Sequence, residues 1–231
     1  METRSETILN LIIEEYIKTA EPVGSKALSD LLDVSSATVR NEMSALESEG
    51  FLAQPHTSSG RIPTEKAYVH YLRGLSDAKR PPAAEANTMR SAMRSSSDER
   101  ARLKTLGRAL AELSGETVFM AHGTDWSSYI GIANLFAKPD FADLTALQSL
   151  SGVLDHLDEI IAAMFGSMTD EPAVMIGRAN PFDRQMSVIL VRYPTAHAQQ
   201  GLIGILGPMR MNYRRNLALM ETAQETLSTY L

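Results

Sequence analysis

The sequence lacks cysteine altogether, and it contains only one tryptophan. The absence of cysteine excludes disulfide bonds, thiolate zinc sites, iron–sulfur clusters and cysteine nucleophiles. Long hydrophobic runs are also missing, since no stretch approaches the roughly 18 apolar residues that a membrane-spanning helix needs. We therefore expect no membrane anchor. The remaining composition, with 44% hydrophobic and 22% charged residues in a chain of 231, is typical of one large or two modest globular domains.

An excess of basic residues is absent as well, because the formal net charge is −6 and the isoelectric point is about 5.4. Residues 1–80 carry nine basic and twelve acidic side chains, so each part of the chain has a net charge of −3. A nucleic-acid-binding protein with this balance must use a local basic face. Glu2 and Glu6 precede the first apolar run, and no small-residue cleavage site follows, so we expect no signal peptide and a cytoplasmic location.

Hydrophobic periodicity over residues 1–75 predicts three helices, a hairpin and a fourth helix. The order of these elements is that of a winged helix-turn-helix domain. In the second helix we expect Ala27, Leu28, Leu31 and Leu32 to be buried. The predicted helices span residues 4–20, 25–32, 36–49 and about 64–75, and the extended runs span 51–54 and 56–62.

The third helix carries the chemistry that DNA recognition requires. Val39, Met43 and Leu46 have helical spacing and predict the core face, which leaves Arg40 and Asn41 on the outside. Arginine pairs with guanine and asparagine with adenine, and small or hydroxyl side chains allow close approach to phosphates. The candidate DNA-binding residues are Ser25, Lys26, Ser35, Ser36, Thr38, Arg40, Asn41, Ser44, His56, Ser58, Arg61 and Thr64.

The hairpin is the predicted wing of this domain. His56, Ser58 and Arg61 are available there to the DNA backbone or the minor groove, and Gly60 allows a tight turn. We expect Arg61 to neutralise a phosphate. A simpler interpretation stays open, in which residues 1–75 form a small helical domain with a solvated polar face. Four acids offset much of the positive charge, namely Glu42, Glu47, Glu49 and Glu65.

The rest of the chain predicts an antiparallel sheet covered by helices, which makes the fold class α+β. Residues 76–85 combine charge, two prolines and small side chains, and we interpret them as a linker that an uncertain helix follows at 86–97. The other predicted helices span 98–114, 143–165 and 212–231, and the extended runs span 117–122, 129–133, 173–177, 187–193 and 202–206.

Long motifs stand near both ends of the chain. Near the start, EPVGSKALSDLL and VSSATVRNEMSALESEGFLAQPHTSSGRIPTEKAY resemble the winged-helix domain of the heat-inducible transcription repressor family, HrcA. Later, YIGIANLFAKPDFAD, VMIGRANP and GLIGILGPMRMNY are similar to its C-terminal blocks. The motifs are long and stand in the same order at both ends of the chain.

The resemblance implies a cytoplasmic bacterial repressor that binds an inverted-repeat operator ahead of chaperone genes. It implies a homodimer on double-stranded DNA, with the GroEL chaperonin as a partner that keeps the repressor active. It also implies a GAF-like second domain with a dimerisation domain inserted in it. The expected domains are a winged helix-turn-helix at 1–75, a linker and uncertain helix at 76–97, and a reduced GAF-like domain at 98–231.

The chain departs from the family pattern between Gly115 and Tyr129, where only a dozen or so residues stand. Strands of the GAF-like core and the inserted dimerisation domain are expected there, and family members are noticeably longer. We therefore expect the inserted domain to be missing. Smaller departures are Ala67, Val69, Ala179, Met209 and Asn212.

Without the inserted domain, the dimer must pair through another surface. Leu103, Leu106, Leu110 and Leu113, with Met89 and Met93, form either that surface or the cover of the sheet. We expect a dimer weaker than is usual for the family.

Other motifs predict packing or surface roles. The five histidines show no metal-ligand spacing, and we expect no metal and no cofactor. Gly201, Gly204 and Gly207 have the spacing of a phosphate loop, but the apolar residues between them indicate a strand, so we interpret the glycines as packing positions. The sequence places no nucleophile, base and orienting residue together, so we do not expect the protein to be an enzyme. Two alternatives to a repressor of chaperone genes stay open: a one-component regulator that responds to a small molecule, and an inactive remnant that serves as an interaction module.

Overall fold

A computed structural model describes residues 3–57, 59–75, 80–122, 126–165, 172–195 and 200–231. The chain divides into two compact units, residues 1–76 and 77–231. Within the described ranges, no helix combines the length and the apolar character that crossing a membrane requires.

Over its described residues, the first unit contains four helices and a short hairpin. Side-chain caps fix three of the helix starts, because Thr3, Ser35 and Thr64 each accept a hydrogen bond from a backbone amide of the first turn. The elements are α1 (Arg4–Thr19), α2 (Ser25–Leu32), α3 (Ser36–Ser48), β1 (Leu52–Ala53), β2 (Ile62–Pro63) and α4 (Glu65–Arg73).

A compact apolar core holds the first unit together. Ile8, Ile12 and Ile13 of α1 are fully buried, and they share the core with residues from each of the other helices. The prediction for α2 is wrong in part, because only Leu28 is buried and Leu31 is 69% exposed. Leu31 lies about 60° around the helix from Leu28 and about 100° from Leu32, and a helix of two turns buries only a narrow stripe.

The wing is shorter than the sequence predicts. We expected an extended run over 56–62, whereas β2 begins at Ile62 and pairs with only two residues of β1. Arg61 makes an isolated antiparallel bridge with Val23 instead, and both backbone hydrogen bonds of that bridge are 2.9 Å long. A Cβ on Gly60 would stand 2.4 Å from the Val23 carbonyl oxygen, so only glycine allows this close approach.

The second unit contains six helices of the α type and a five-stranded sheet in its described part. The elements are α5 (Ala83–Ala92), α6 (Glu99–Ser114), β3 (Thr117–His122), β4 (Trp126–Ile130), α7 (Ile132–Phe136), α8 (Leu144–Asp155), α9 (Leu157–Met164), β5 (Ala173–Ile176), β6 (Met186–Pro194), β7 (Gln200–Pro208) and α10 (Tyr213–Tyr230). Short 3-10 turns stand at Pro139–Phe141 and Gly177–Ala179.

The strand order is β4-β3-β7-β6-β5, and every neighbouring pair is antiparallel. Helices α8 and α9 contribute to an apolar cluster on one face of the sheet, together with Phe119 and Leu202. Helices α6 and α10 pack against the other face, and α5 packs on both of them. The α+β class with a helix-covered antiparallel sheet is therefore confirmed.

The three glycines of β7 leave room for large neighbours. A Cβ on Gly201 would overlap the ring of Tyr193, and one on Gly204 would overlap the ring of Phe119. The packing interpretation of these glycines is therefore confirmed.

Some predicted bounds in the second unit need correction. The strand expected over 129–133 spans 126–130, because Gly131 with a φ of 76° ends it and α7 follows. The long helix expected over 143–165 breaks at His156, where the backbone leaves helical geometry. The uncertain helix after the linker is α5, which begins three residues earlier than expected. Residues 76–79 of the linker lie outside the described residues.

The leucine stripe of α6 covers the sheet. Leu103, Leu106 and Leu110 are fully buried, as is Met89, and Met93 is 1% exposed. Of the two alternatives, the structure favours the cover of the sheet for these residues, because each already packs inside its own unit, while Leu113 at the end of the stripe is half-buried. A dimer must use other residues.

Candidate nucleic-acid interface

Helix α3 presents its polar face outward, as predicted. Val39, Met43 and Leu46 are no more than 5% exposed, and the core face of the helix is thereby confirmed. Arg40 and Asn41 are exposed on the opposite side. Ser44 is exposed one turn after Arg40. This face carries donors of the type that reads base edges.

The first turn of α3 combines a side-chain cap with the positive end of the helix dipole. Ser35 caps the helix and accepts a hydrogen bond of 3.1 Å from the Thr38 amide, and the hydroxyls of the two residues lie 2.9 Å apart. Ser36 and Ala37 follow at the positive end of the helix dipole. Free amides and a positive dipole attract an anion at such an end.

A chain of polar groups links α2 to α3. Ser25 and Ser36 are the first residues of their helices, and their hydroxyl oxygens lie 2.8 Å apart. Arg40 donates from Nε to the Ser25 hydroxyl over 3.2 Å. Lys26, the next residue of α2, is exposed.

The guanidinium of Arg61 forms an ion pair with a carboxylate of α3. Its Nε and Nη2 atoms lie 2.9 Å and 2.8 Å from Glu47 Oε2, and its side chain is 18% exposed. The ion pair therefore ties the wing to α3. The phosphate contact that we expected of Arg61 stays a prediction, now with a competing partner on the same helix.

The turn of the wing is held by local hydrogen bonds. Ser59 Oγ accepts from the His56 amide and donates to the His56 carbonyl, and Gln54 Nε2 donates to the Thr57 carbonyl over 2.9 Å. His56 is exposed at this tip. Ser58 lies outside the described residues.

A groove of about 420 Å³ runs between α3 and the wing. Four of the predicted residues line it, namely Ser25, Arg40, Ser44 and Arg61. Thr64 lies elsewhere, because its hydroxyl caps α4 and donates to the Gly50 carbonyl over 2.8 Å. The groove and the outer face of α3 together form a polar surface beside a wing.

Residues 2–74 match the family described as winged helix-turn-helix transcription repressor, HrcA DNA-binding. Residues 75–217 match the family described as HrcA protein C terminal domain. The chain belongs to the HrcA family.

Curated relatives carry the name heat-inducible transcription repressor HrcA. The protein of Mycobacteroides abscessus is 42% identical over 125 residues, which is 53% of this chain and 37% of that protein. The protein of Mycobacterium leprae (strain Br4923) is 41% identical over 151 residues, which is 64% of this chain and 44% of that protein. The matched stretches thus span less than half the length of these HrcA proteins.

A solved structure shares the fold of this HrcA-family chain. It is titled a crystal structure of a hypothetical protein, with a TM-score of 0.77 and 19% sequence identity. The match covers 100% of this chain and 98% of the other.

Two acids of α3 that weighed against DNA binding have partners in this HrcA-family chain. Glu42 accepts a hydrogen bond of 2.5 Å from Ser5, and Glu47 holds Arg61. Among the described side chains, no carboxylate lies within ion-pair distance of Arg40. Arg40 therefore keeps a positive charge on the outer face of α3 that no described carboxylate neutralises, whereas the charges of Arg61 and Glu47 cancel each other.

The candidate residues predicted from the sequence do not include Gln54, Ser59 or Glu47. Gln54 and Ser59 shape the wing through backbone carbonyls, and a polar residue beside a glycine turn was the only signal for them. Glu47 stands 14 residues before Arg61, and no periodicity links the two. Described histidine and carboxylate side chains form no group of three that could hold a metal ion.

Proposed function

We propose that this chain is a DNA-binding transcriptional repressor that lays α3 in the major groove. The observation that carries the proposal is the exposed face of α3, where Arg40, Asn41 and Ser44 stand beside the wing. A helix of this kind reads bases from its exposed side chains while neighbouring hydroxyls and amides contact phosphates. It is a binding protein in this proposal and not an enzyme.

The finer parts of the proposal draw on family membership. The chain binds an inverted-repeat operator of heat-shock chaperone genes as a homodimer in the cytoplasm, and the GroEL chaperonin acts as its partner. Residues 1–75 form the DNA-binding domain, 76–97 the linker and helix α5, which packs on the second unit, and 98–231 a GAF-like domain without the inserted dimerisation domain. The names of the curated relatives support repression.

The test is a nuclease footprint of the full chain on the DNA upstream of its own gene and of chaperone genes. We expect protection of two half-sites separated by about one turn of DNA, roughly 34 Å. Protection of a single half-site, or none at low salt, would contradict the proposal.

A substitution at Asn41 tests base reading at a single residue. Asn41→Ala should lose roughly 1–3 kcal/mol of binding free energy on the operator and much less on random DNA, because only the operator presents the matched adenine. Binding titrations on both DNAs measure this difference. Equal losses would rule out base reading by Asn41.

A further inference from the structure

One hydroxyl group holds the guanidinium of Arg40. Arg40 Nε donates to Ser25 Oγ over 3.2 Å, and Ser25 Oγ lies 2.8 Å from Ser36 Oγ. We infer that Ser25 is a positioning residue that turns Arg40 toward a guanine in the major groove, an inference that rests on the proposed function. Because Ser25 and Ser36 begin α2 and α3, the support comes from two helices at once.

The hydrogen bond to Ser25 leaves the reading end of Arg40 free. A guanidinium has five N–H groups, of which Nε carries one. The four N–H groups of the two Nη atoms remain, and these atoms form the fork that pairs with O6 and N7 of guanine. No carboxylate among the described side chains lies close enough to pair with Arg40.

The neighbouring side chains lack this arrangement. Arg61 places both Nε and Nη2 on Glu47, so one of the two Nη atoms of its fork is already occupied. Asn41 is exposed, and in the part of the chain that the structure describes its amide makes no hydrogen bond that would orient it. Arg40 is therefore the oriented base reader of this face, and guanine is the base that it fits.

Holding Arg40 in place before DNA arrives should raise operator affinity by a measurable factor. An arginine that is already held loses fewer rotamers when DNA arrives, and holding one side chain changes affinity by roughly threefold to tenfold. Ser25→Ala should therefore weaken operator binding by that factor. Arg40→Ala should weaken it by roughly tenfold to a hundredfold, since the base contact itself is lost.

The experiment is a double-mutant cycle on the full chain. An operator is first selected from random double-stranded DNA, and affinities of Ser25→Ala, Arg40→Ala and the double variant are then measured on operator and on unselected DNA. We expect the double variant to bind like Arg40→Ala alone, and Ser25→Thr, which keeps a hydroxyl, to bind like the original chain. Additive losses, or equal losses on unselected DNA, would overturn the inference.

A matched control removes another serine hydroxyl of α2. Ser29 Oγ donates only to the Lys26 carbonyl, over 2.8 Å, so Ser29→Ala should leave operator affinity unchanged. Thermal unfolding of each variant shows whether it is folded. A Ser29→Ala variant as weak as Ser25→Ala would also overturn the inference.

Replacing operator guanines one at a time by 7-deazaguanine removes the N7 acceptor without changing base pairing. The original chain should lose affinity at one guanine in each half-site, and Arg40→Ala should be insensitive at that position. If Arg40→Ala stays as sensitive as the original chain at every guanine, the inference is wrong while the proposed function stands. A chain that selects no sequence over random DNA would instead overturn the proposed function.

Discussion

The ion pair between Arg61 and Glu47 cancels a positive charge at the wing. Glu47→Gln frees the guanidinium, and one freed cation should steepen the slope of log K against log salt by about 0.9 through release of one more counterion. Titrations from low to moderate salt on random DNA measure the slope. Arg61→Ala in the same background should return it to its original value.

Glu49→Gln is the matched control for this experiment, because Glu49 ends the same helix. Its side chain makes no ion pair among the described residues. Equal slopes for Glu47→Gln and Glu49→Gln would show that Arg61 does not reach a phosphate.

Glu116 gives the second unit a pH-dependent stability. The residue is 4% exposed, its Oε1 accepts from Lys138 Nζ over 3.0 Å, and its Oε2 is buried without a described partner. Burial raises the pKa of Glu116 from 4.5 to about 7, and the attraction of Lys138 opposes this only in part. The folded chain thus holds the proton more tightly than the unfolded chain.

The contribution of Glu116 to stability should therefore be greatest below about pH 4.5 and fall as the pH rises to about 7, because the unfolded chain binds fewer protons at this residue over that interval. Glu116→Gln should remove this fall, which amounts to about 3 kcal/mol at most. Urea unfolding between pH 5 and pH 8 measures it. Glu112→Gln, an exposed neighbour on α6, should keep the original pH dependence, and the prediction fails if both variants behave alike.

The wing as an element depends on a backbone contact at Gly60. In Gly60→Ala the new Cβ would meet backbone atoms of Val23 at 2.4 Å and 2.5 Å, so the bridge between Val23 and Arg61 must open. We expect the first unit to lose about 1–3 kcal/mol of unfolding free energy. Urea unfolding followed by a signal from the first unit measures the loss.

Gly24→Ala is the control for this substitution. A Cβ at Gly24 would meet nothing within 4 Å, and its φ is −88°. Its unfolding free energy should stay within about 0.5 kcal/mol of the original. A loss as large as that of Gly60→Ala would show that opening the bridge between Val23 and Arg61 does not explain the destabilisation.

Element types were readable from the sequence where a cap and an apolar stripe coincide. The apolar spacing of Val39, Met43 and Leu46 predicted α3 to within a residue of its observed end, with Ser36 as the expected cap, whereas the cap is the preceding residue, Ser35. The break at His156 was not predictable, because no glycine or proline marks it and tertiary packing decides it. The Arg61 partner was missed for a similar reason, since a contact over 14 residues leaves no periodic trace.

At the scale of the whole molecule, the inverted-repeat operator that we propose requires two DNA-binding domains, and the buried leucines of α6 cannot join them. We expect a weak dimer whose operator binding rises steeply with protein concentration, because pairing and DNA binding are linked by mass action. Sedimentation equilibrium over a wide concentration range, combined with binding titrations, measures both. A strictly monomeric chain that binds a full operator tightly would contradict this expectation.

The glycines of β7 constrain how this sequence can change over time. A side chain at Gly204 needs the space of the Phe119 ring, and one at Gly201 needs that of Tyr193. A larger residue is compatible with the fold only when its partner across the strand pair shrinks with it. We therefore expect each glycine and its aromatic neighbour to change together, because a substitution at the glycine alone overlaps the ring and destabilises the fold.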